Sequence, residues 1–216
     1  MRFDISVTNE LLEGMRQAKQ TIGRAGLIVL PTDTVYGIGC DAFSAFAVNS
    51  LLEAKGRGRQ SPPPVLIPSL DTLRALADNP PQVVYTLAEK FWPGALTMIV
   101  RAQPSLSWDL GETKGTVALR IPNQDFTLAL LKDVGPLAVS SANLTGQEPA
   151  NDITAAEGFF EDKVGVYLDA GPAKGNIPST IVDLTEDGKV KVVRLGAISI
   201  AAIKKCVGKE FEVVAV

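Results

Sequence analysis

The sequence predicts an α/β protein built on an open, twisted, mostly mixed β-sheet that is flanked by helices. Three observations predict this class. An amphipathic helical pattern near the N-terminus leads directly into a continuous apolar run, which is typical of a strand buried on both faces. More apolar runs of strand length recur along the 216 residues, and helical patterns separate some of them while only turns separate others. No internal repeat or linker divides the chain, which indicates one domain over residues 1–216.

The first elements follow from periodicity and from the residues that bound them. Apolar residues recur at steps of three and four from Thr8 to Gly26, which predicts a surface helix that Thr8 caps. The apolar run Leu27–Leu30 comes next and predicts a buried strand. The polar, glycine-punctuated stretch from Pro31 to Gly39 follows the end of that strand, where open α/β sheets usually bind ligands. This stretch is therefore the first candidate site.

The remaining elements follow from the same patterns. Helices are predicted at 45–54, 70–77 and 81–91, and strands at 65–67, 96–101, 116–121, 137–140, 166–168, 180–183 and 190–194. The tail Lys209–Val216 is apolar and strand-like. We expect it to pair either with the sheet or with another subunit.

Composition excludes several classes of chemistry. The chain has no histidine, so Ser-His-Asp and Cys-His nucleophile systems and histidine metal sites are excluded. Its two cysteines, Cys40 and Cys206, form neither a disulfide framework nor a Cys-x-x-Cys motif, which favours a reducing compartment. The N-terminus carries an acid where a signal peptide is apolar, and no apolar run approaches the roughly 18 residues of a membrane span. We therefore expect a cytoplasmic protein that is neither exported nor inserted in a membrane.

The basic residues must be located individually, because a net charge of −3 argues against a surface broadly built for nucleic acid. Three cations lie within five residues in Lys55-Gly-Arg-Gly-Arg59, at the end of a predicted helix. This segment is either a solvated loop that complements the helix C-terminus or a phosphate clamp, in which Arg supplies a bidentate fork and Lys a point charge.

The sequence supports neither of two common nucleotide-binding fingerprints. No P-loop sequence is present. Gly37-x-Gly39-x-x-Ala42 formally matches the dinucleotide fingerprint, but six residues separate its glycines from the preceding strand, where the fingerprint needs a tight turn. We favour a glycine-rich bend at this position.

Several predicted strands end in hydroxyl or cationic side chains. Ser140-Ser-Ala-Asn143 closes one strand, and its side chains bond either a ligand or the local turn. Ser179-Thr180 starts another strand. Arg120 and Arg194 each end an apolar strand and need either an anionic ligand or an acidic residue nearby. Together these ends suggest one crevice that takes an anionic ligand.

Seven short motifs occur in an order that resembles the YrdC-like threonylcarbamoyl-AMP synthase family, over roughly residues 10 to 205. They are Pro31-Thr-Asp-Thr-Val-Tyr-Gly37, Lys55-x-Arg57, Trp92-Pro-Gly-Ala-Leu-Thr97, Thr116-Val-Ala-Leu-Arg-Ile-Pro122, Ser141-Ala-Asn143, Ser179-Thr-Ile-Val-Asp183 and Arg194-x-Gly196. The resemblance implies an open α/β sheet around a basic cavity, in which L-threonine, bicarbonate and ATP yield threonylcarbamoyl-AMP and pyrophosphate. The family's product serves the N6-threonylcarbamoyl modification of tRNA adenosine.

The resemblance also implies roles for individual residues. On the threonine side, Thr34 and Ser179 contact L-threonine, Arg120 holds its carboxylate, and the backbone of the strand end near Val139 faces it. On the nucleotide side, Lys55 and Arg57 bind the phosphates and, with a magnesium ion that accompanies ATP, neutralise the charge that builds during catalysis. The remaining nucleotide contacts implied are Thr116, Ser141, Asn143 and Arg194. No organic cofactor is implied.

Some features stay open at the level of the sequence. The segment 58–68 departs from the family pattern, so no contact is carried over there. Asp33 and Asp41 are near enough to the first motif to be considered as magnesium ligands, and Tyr36 packs either on a substrate or in the core. The resemblance also implies a downstream partner, the machinery that transfers the threonylcarbamoyl group to tRNA. The alternative functions are an RNA-binding module in direct contact with RNA, a related carbamoyl transfer reaction, and a nucleotide-binding regulator.

Overall fold

A single mixed sheet organises the computed structural model, which describes residues 1–173 and 175–215. The strands are β1 (Arg2–Asp4), β2 (Ile28–Leu30), β3 (Gly37–Asp41), β4 (Val65–Leu66), β5 (Leu96–Arg101), β6 (Thr116–Arg120), β7 (Leu137–Ser141), β8 (Val166–Asp169), β9 (Thr180–Asp183), β10 (Lys189–Arg194) and β11 (Glu212–Ala215). Their spatial order is β1-β8-β2-β3-β7-β4-β6-β5-β9-β10-β11. Parallel pairs such as β4–β6 and β5–β9 alternate with antiparallel pairs such as β3–β7 and β5–β6. The predicted α/β class with a mixed sheet is therefore confirmed.

Seven α-helices accompany the strands in the part of the chain that the structure describes. They are α1 (Thr8–Gly23), α2 (Ala45–Ala54), α3 (Leu70–Leu76), α4 (Gln82–Phe91), α5 (Asp125–Val134), α6 (Ile153–Phe160) and α7 (Ile200–Val207). None of them is both long and apolar enough to cross a bilayer. Ser44 and Ser69 cap α2 and α3, because each hydroxyl accepts a hydrogen bond from a backbone N–H three residues later.

The core lies on both faces of the sheet. In β2, Ile28 and Leu30 belong to one apolar cluster and Val29 to the other, because side chains alternate along a strand. The smaller cluster lies beneath α1 and α5, where Ile22 and Leu130 are buried. Burial on both faces explains why the central strands β2 and β7 read as continuous apolar runs in the sequence.

Most predicted elements occur within one or two residues of their predicted ends. The helix 45–54 and the strands 96–101 and 180–183 match the structure. The predicted end and cap of the first helix are wrong. Val7 occupies the N-cap position with no side-chain cap, and the helix ends at Gly23. Ala25 has a φ of 57° and a Schellman motif closes the helix, because Gly26 N–H donates to the carbonyl of Thr21.

The glycines of the first candidate site lie in a strand, and the predicted bend is wrong. Gly37 and Gly39 belong to β3, which pairs with β7. A Cβ on Gly37 or Gly39 would lie 2.6 or 2.8 Å from a methyl carbon of Val139. Glycine is therefore needed because a side chain of the neighbouring strand crosses this position, and neither a dinucleotide fingerprint nor a bend is present.

Several further elements were not indicated by the sequence patterns, namely β1, β3, α5, α6 and α7. The tail does form a strand: β11 pairs in parallel with β10, so of the two alternatives the pairing with the protein's own sheet is the one observed.

Candidate active site

A cavity of about 250 Å³ opens against the middle of the sheet. Its walls come from the segment after β2, from β5, β6, β7 and β9, from the end of β10, and from three consecutive prolines that precede β4. Eight of the ten residues implied by the family resemblance line it: Thr34, Arg57, Thr116, Arg120, Val139, Ser141, Ser179 and Arg194. Lys55 and Asn143 lie outside this lining.

Arg120 is held in place by three hydrogen bonds at the end of β6, although only 6% of its surface is exposed. Nε donates to the carbonyl of Gly94 at 2.9 Å, Nη1 donates to Thr34 Oγ1 at 3.1 Å, and Nη2 donates to Asp33 Oδ1 at 2.6 Å. Burial lowers the pKa of this guanidinium, and the Asp33 carboxylate opposes that effect. Among the described residues two of its five N–H groups have no partner, so the oriented fork can still receive an anion.

The hydroxyl of Thr34 has a defined direction. Thr32 Oγ1 donates to the carbonyl of Val35 at 2.6 Å, which uses its only proton. In the 3.0 Å contact between the two threonine hydroxyls, Thr34 is therefore the donor. Thr34 Oγ1 then accepts from Arg120 and donates to Thr32, so its remaining lone pair is what it can offer a substrate.

Ser179 connects the opposite wall to Arg194. Nε and Nη2 of Arg194 donate to the carbonyl of Ser179 at 3.2 and 2.7 Å, and Nη2 also donates to its hydroxyl at 3.1 Å. That hydroxyl shares a 2.8 Å hydrogen bond with Thr97 Oγ1. Thr97 is buried and lines the cavity, and the sequence patterns assigned no role to this residue. The signal that could have found it is a polar residue inside an otherwise apolar strand.

Three guanidiniums face the cavity. Arg57 is half-buried, and the one side-chain hydrogen bond that it makes to the described residues, from Nη1 to Ser140 Oγ, is long at 3.3 Å. Burial lowers the pKa of Arg57 and Arg194, and the charges of Arg120 and Arg57 lower that of Arg194 further. Among the described residues that line the cavity none is acidic. Mutual repulsion between these cations favours an anionic ligand.

Lys55 lies behind the cavity wall, where 1% of its surface is exposed. Its ammonium donates to the carbonyls of Ser141 and Asn143 at 2.5 and 2.6 Å. Burial, and to a smaller extent the charge of Arg57, lowers the pKa of Lys55 to about 7. The amide of Asn143 donates to the carbonyls of Leu144 and Gln147, and its Oδ1 is buried without a hydrogen-bond partner.

The residues that the sequence left open have structural positions. Asp33 pairs with Arg120, and Asp41 Oδ1 accepts from the N–H of Phe43. Within residues 1–173 and 175–215 no three acidic, cysteine or histidine side chains cluster in a way that would hold a metal ion. Tyr36 lines the cavity, and its hydroxyl donates to the carbonyl of Gly171 at 2.5 Å and accepts from Ala170 N–H.

The loop that departs from the family pattern contributes to the cavity wall through Pro62, Pro63 and Pro64. Arg59 turns away from the cavity, because its guanidinium forms a two-pronged ion pair with Asp109 at 2.7 and 2.9 Å. Its carbonyl also accepts from the N–H of Glu112. The loop between β5 and β6, residues 102–115, is therefore tied to the loop that carries Arg57.

Comparisons with known proteins agree with this geometry. A family model named for Sua5, YciO and YrdC, with the description "Telomere recombination", matches residues 20–196. A candidate threonylcarbamoyl-AMP synthase of Mycobacterium leprae is 47% identical over 206 residues, which cover 95% of this chain and 93% of that protein. A Bacillus subtilis threonylcarbamoyl-AMP synthase is 32% identical, over 96% of this chain and 61% of its own length. The crystal structure of Pyrococcus abyssi Sua5 with L-threonine superposes with a TM-score of 0.86 at 32% identity, over 92% of this chain and 58% of that one.

Proposed function

The chain belongs to the Sua5/YciO/YrdC family, and from this membership we propose that it is a threonylcarbamoyl-AMP synthase. It makes threonylcarbamoyl-AMP and pyrophosphate from L-threonine, bicarbonate and ATP, as a nucleotidyltransferase of tRNA modification. The observation that carries the proposal is one cavity in which three guanidiniums converge with the hydroxyls of Thr34 and Ser179. That combination suits an amino acid carboxylate and a nucleotide polyphosphate together.

On the threonine side we assign Arg120 to the carboxylate of L-threonine. Its guanidinium is oriented by Asp33, Thr34 and Gly94 and still has free N–H groups. The hydroxyls of Thr34 and Ser179 and the side chain of Val139 complete this side. Since the N–H of Val139 already donates to the carbonyl of Pro64, that group is not the contact with threonine.

On the nucleotide side we assign Arg57 and Arg194 to the phosphates, with Thr116 and Ser141 as hydrogen-bonding groups on the same cavity. Arg57 supports this role because its guanidinium faces the cavity with a single long hydrogen bond. For Asn143 the nucleotide role implied by the resemblance stays a prediction, whereas Lys55, which lies outside the cavity lining, is not assigned to the phosphates. Magnesium would enter with ATP on its phosphate oxygens, since Mg²⁺ is commonly held by substrate phosphates and water with few protein carboxylates.

The reaction needs no protein nucleophile. The threonine amine condenses with bicarbonate, water leaves, and a carbamate forms. A carbamate oxygen then attacks the α-phosphorus of ATP, a new P–O bond forms, and the bond to the β-phosphate oxygen breaks with release of pyrophosphate. The protein's contribution is to align the two substrates and to neutralise the charge that grows on the leaving phosphates, which the arginines of the cavity can do.

The test is threonine-dependent chemistry. Purified protein with ATP, magnesium and bicarbonate is expected to release pyrophosphate only when L-threonine is present, and mass spectrometry should detect threonylcarbamoyl-AMP in equal amount. L-serine, which lacks the methyl group, serves as the matched control substrate. Intact ATP binding without any turnover would contradict the proposal and favour a nucleotide-binding regulator.

The setting of the reaction is part of the proposal. We place the enzyme in the cytoplasm, supported by two free thiols, and expect the tRNA threonylcarbamoyl-transfer machinery to consume its product. Direct contact with RNA is a separate prediction. Salt-dependent binding of tRNA without threonine-dependent turnover would favour the RNA-binding alternative.

A further inference from the structure

Lys55 is bonded at both of its ends to one short segment of the chain. Its ammonium donates to the carbonyls of Ser141 and Asn143, at 2.5 and 2.6 Å. Its own carbonyl accepts from the N–H and the hydroxyl of Thr145, at 3.0 and 2.9 Å. Four hydrogen bonds therefore tie one residue at the end of α2 to residues 141–145, which we call the β7 turn.

The β7 turn is where the chain leaves the sheet beside the cavity. β7 ends at Ser141, which lines the cavity together with Ser140. Ala142 N–H still donates to the carbonyl of Tyr36, and beyond it Asn143 N–H bonds back to Ser141. The carbonyls of Ser141 and Asn143 are thus brought close to each other, and the group that bridges them is the Lys55 ammonium.

The burial of Lys55 is explained by this bridge. An ammonium removed from water carries a large desolvation cost unless strong acceptors replace the water. Two carbonyl oxygens at short distance supply charge-assisted hydrogen bonds of the stronger kind. Removing the ammonium would leave both carbonyls without this partner on the inner side of the turn.

We propose that Lys55 is a positioning residue, which holds the β7 turn and with it the Ser141 hydroxyl against the cavity, and which does not itself contact the phosphates of ATP. The inference rests on the proposed function only for the identity of the reaction. The two basic residues of the Lys55-x-Arg57 motif then have different roles. Arg57 faces the ligand, and Lys55 supports from behind the neighbouring wall that Ser140 and Ser141 form.

The first test uses the unaltered protein. Reductive methylation followed by peptide mass spectrometry is carried out with and without magnesium pyrophosphate. The exposed Lys132 should react fully in both samples, and Lys55 should stay unmodified in both, because its ammonium is buried. Modification of Lys55 in the free protein, with protection by pyrophosphate, would overturn the proposal by showing a lysine that faces the ligand.

The second test compares Lys55→Met and Arg57→Met with Lys132→Met as the matched control. In Lys55→Met the backbone amides of Asn143 and Thr145 should exchange hydrogen at least tenfold faster, and kcat should fall at least about tenfold. Pyrophosphate binding should keep the salt dependence of the unaltered protein, because the lost charge does not face the ligand. Arg57→Met should flatten that salt dependence and leave the two amides protected.

A double variant separates positioning from a purely structural role. If Lys55 acts through Ser141, Ser141→Ala should lower kcat much less in the Lys55→Met background than in the unaltered protein. Additive effects of the two substitutions, or rapid amide exchange with normal kcat, would overturn the proposal. Labelling, exchange and pyrophosphate binding require no turnover, so failure of the proposed reaction and failure of this inference give different results.

Discussion

The two halves of the cavity are built differently. In the threonine half, formed by Thr34, Arg120 and Ser179, every side chain is buried and bonded to another protein group. The nucleotide half is formed by Arg57, Arg194, Thr116 and Ser141. On this side Arg194 is bonded to Ser179, whereas the Arg57 guanidinium is half-exposed and, among the described residues, donates one hydrogen bond of 3.3 Å, to Ser140. Arg120 is therefore held in position before a ligand binds. Arg57 is held by one long hydrogen bond, and we expect its strongest contacts to form with the ligand.

This difference follows from what each half would receive. A single carboxylate is a small anion, and a pre-oriented guanidinium recognises it without reorganising at the moment of binding. A polyphosphate brings several charges and its own metal ion, so an arginine with freedom to move can follow the charge as it shifts to the leaving group. The comparison predicts that substitutions in the threonine half affect both stability and activity, and that substitution of Arg57 in the nucleotide half affects activity alone.

The largest effect is expected at Arg120. In Arg120→Met the Asp33 carboxylate, which is 15% exposed, loses its ion-pair partner, and this should lower the free energy of unfolding by about 3 kcal/mol. Turnover should fall by about a thousandfold, because the carboxylate of L-threonine loses its fork. Urea denaturation and pyrophosphate release measure the two effects.

A second substitution separates the two consequences of losing Arg120. Adding Asp33→Asn to Arg120→Met removes the unpaired charge, so stability should recover in large part while turnover stays low. Recovery of turnover in the double variant would show that Arg120 acts only on the fold, and the assignment of the threonine half would then be wrong.

The next effect is expected at Arg57. Arg57→Met should lower turnover by about a hundredfold, because developing phosphate charge is no longer neutralised. The free energy of unfolding should change by less than about 0.5 kcal/mol, since one long hydrogen bond is lost. A stability loss like that of Arg120→Met would remove the contrast between the halves.

The sequence predicted the strand ends better than the contacts between them. Apolar runs identify β6 and β9, in which buried residues alternate with half-buried ones, and the polar residues that end or begin these strands then stand out. Arg120 and Ser179 were found in this way. Their partners were not, because Asp33 and Thr97 are 87 and 82 positions away and no local pattern predicts such pairing.

The positions of Gly37 and Gly39 and the burial of Lys55 could not be predicted from the sequence either, because both depend on residues far away in the chain. Gly37 and Gly39 resemble a turn in composition, and only the packing of Val139, about a hundred positions later, shows that they lie in a strand. Lys55 sits in a glycine-rich basic loop that looks solvated, and its burial depends on two carbonyls that the fold brings beneath it. Charge and composition predict that a ligand site is present, but they do not predict whether the ammonium of Lys55 faces the ligand or the backbone.

A pH-dependent effect is expected from Lys55, beneath the nucleotide half. Its pKa is about 7 in the folded protein and 10.5 is its ordinary value, so between these values the unfolded chain binds the proton more strongly. The contribution of Lys55 to the free energy of unfolding therefore rises as the pH rises from about 7 to 10.5, and it is constant below pH 7. Relative to Lys55→Met, the unaltered protein should gain up to about 1.4 kcal/mol per pH unit between pH 7.5 and 9.5.

Urea denaturation of both proteins across that pH range measures this difference, with Lys132→Met as the control. The control should follow the unaltered protein at every pH, because Lys132 is exposed. A difference that is flat with pH would mean that the hydrogen bonds from the Lys55 ammonium to the two carbonyls compensate for its burial and keep its pKa at the ordinary value in the folded protein.

The smallest effect is expected at the ion pair between Arg59 and Asp109, at the outer edge of the nucleotide half. Both side chains are largely exposed, and such pairs contribute little in water. The pair nevertheless links the Arg57 loop to the loop at 102–115, whose Leu110 and Thr113 line the cavity. Asp109→Asn should therefore raise the KM for ATP less than about threefold and leave the KM for L-threonine unchanged.

The charge-swapped pair Arg59→Asp/Asp109→Arg should restore the original KM for ATP. An equal rise in both KM values would mean that the two halves respond as one unit, and the contrast between them would then be wrong.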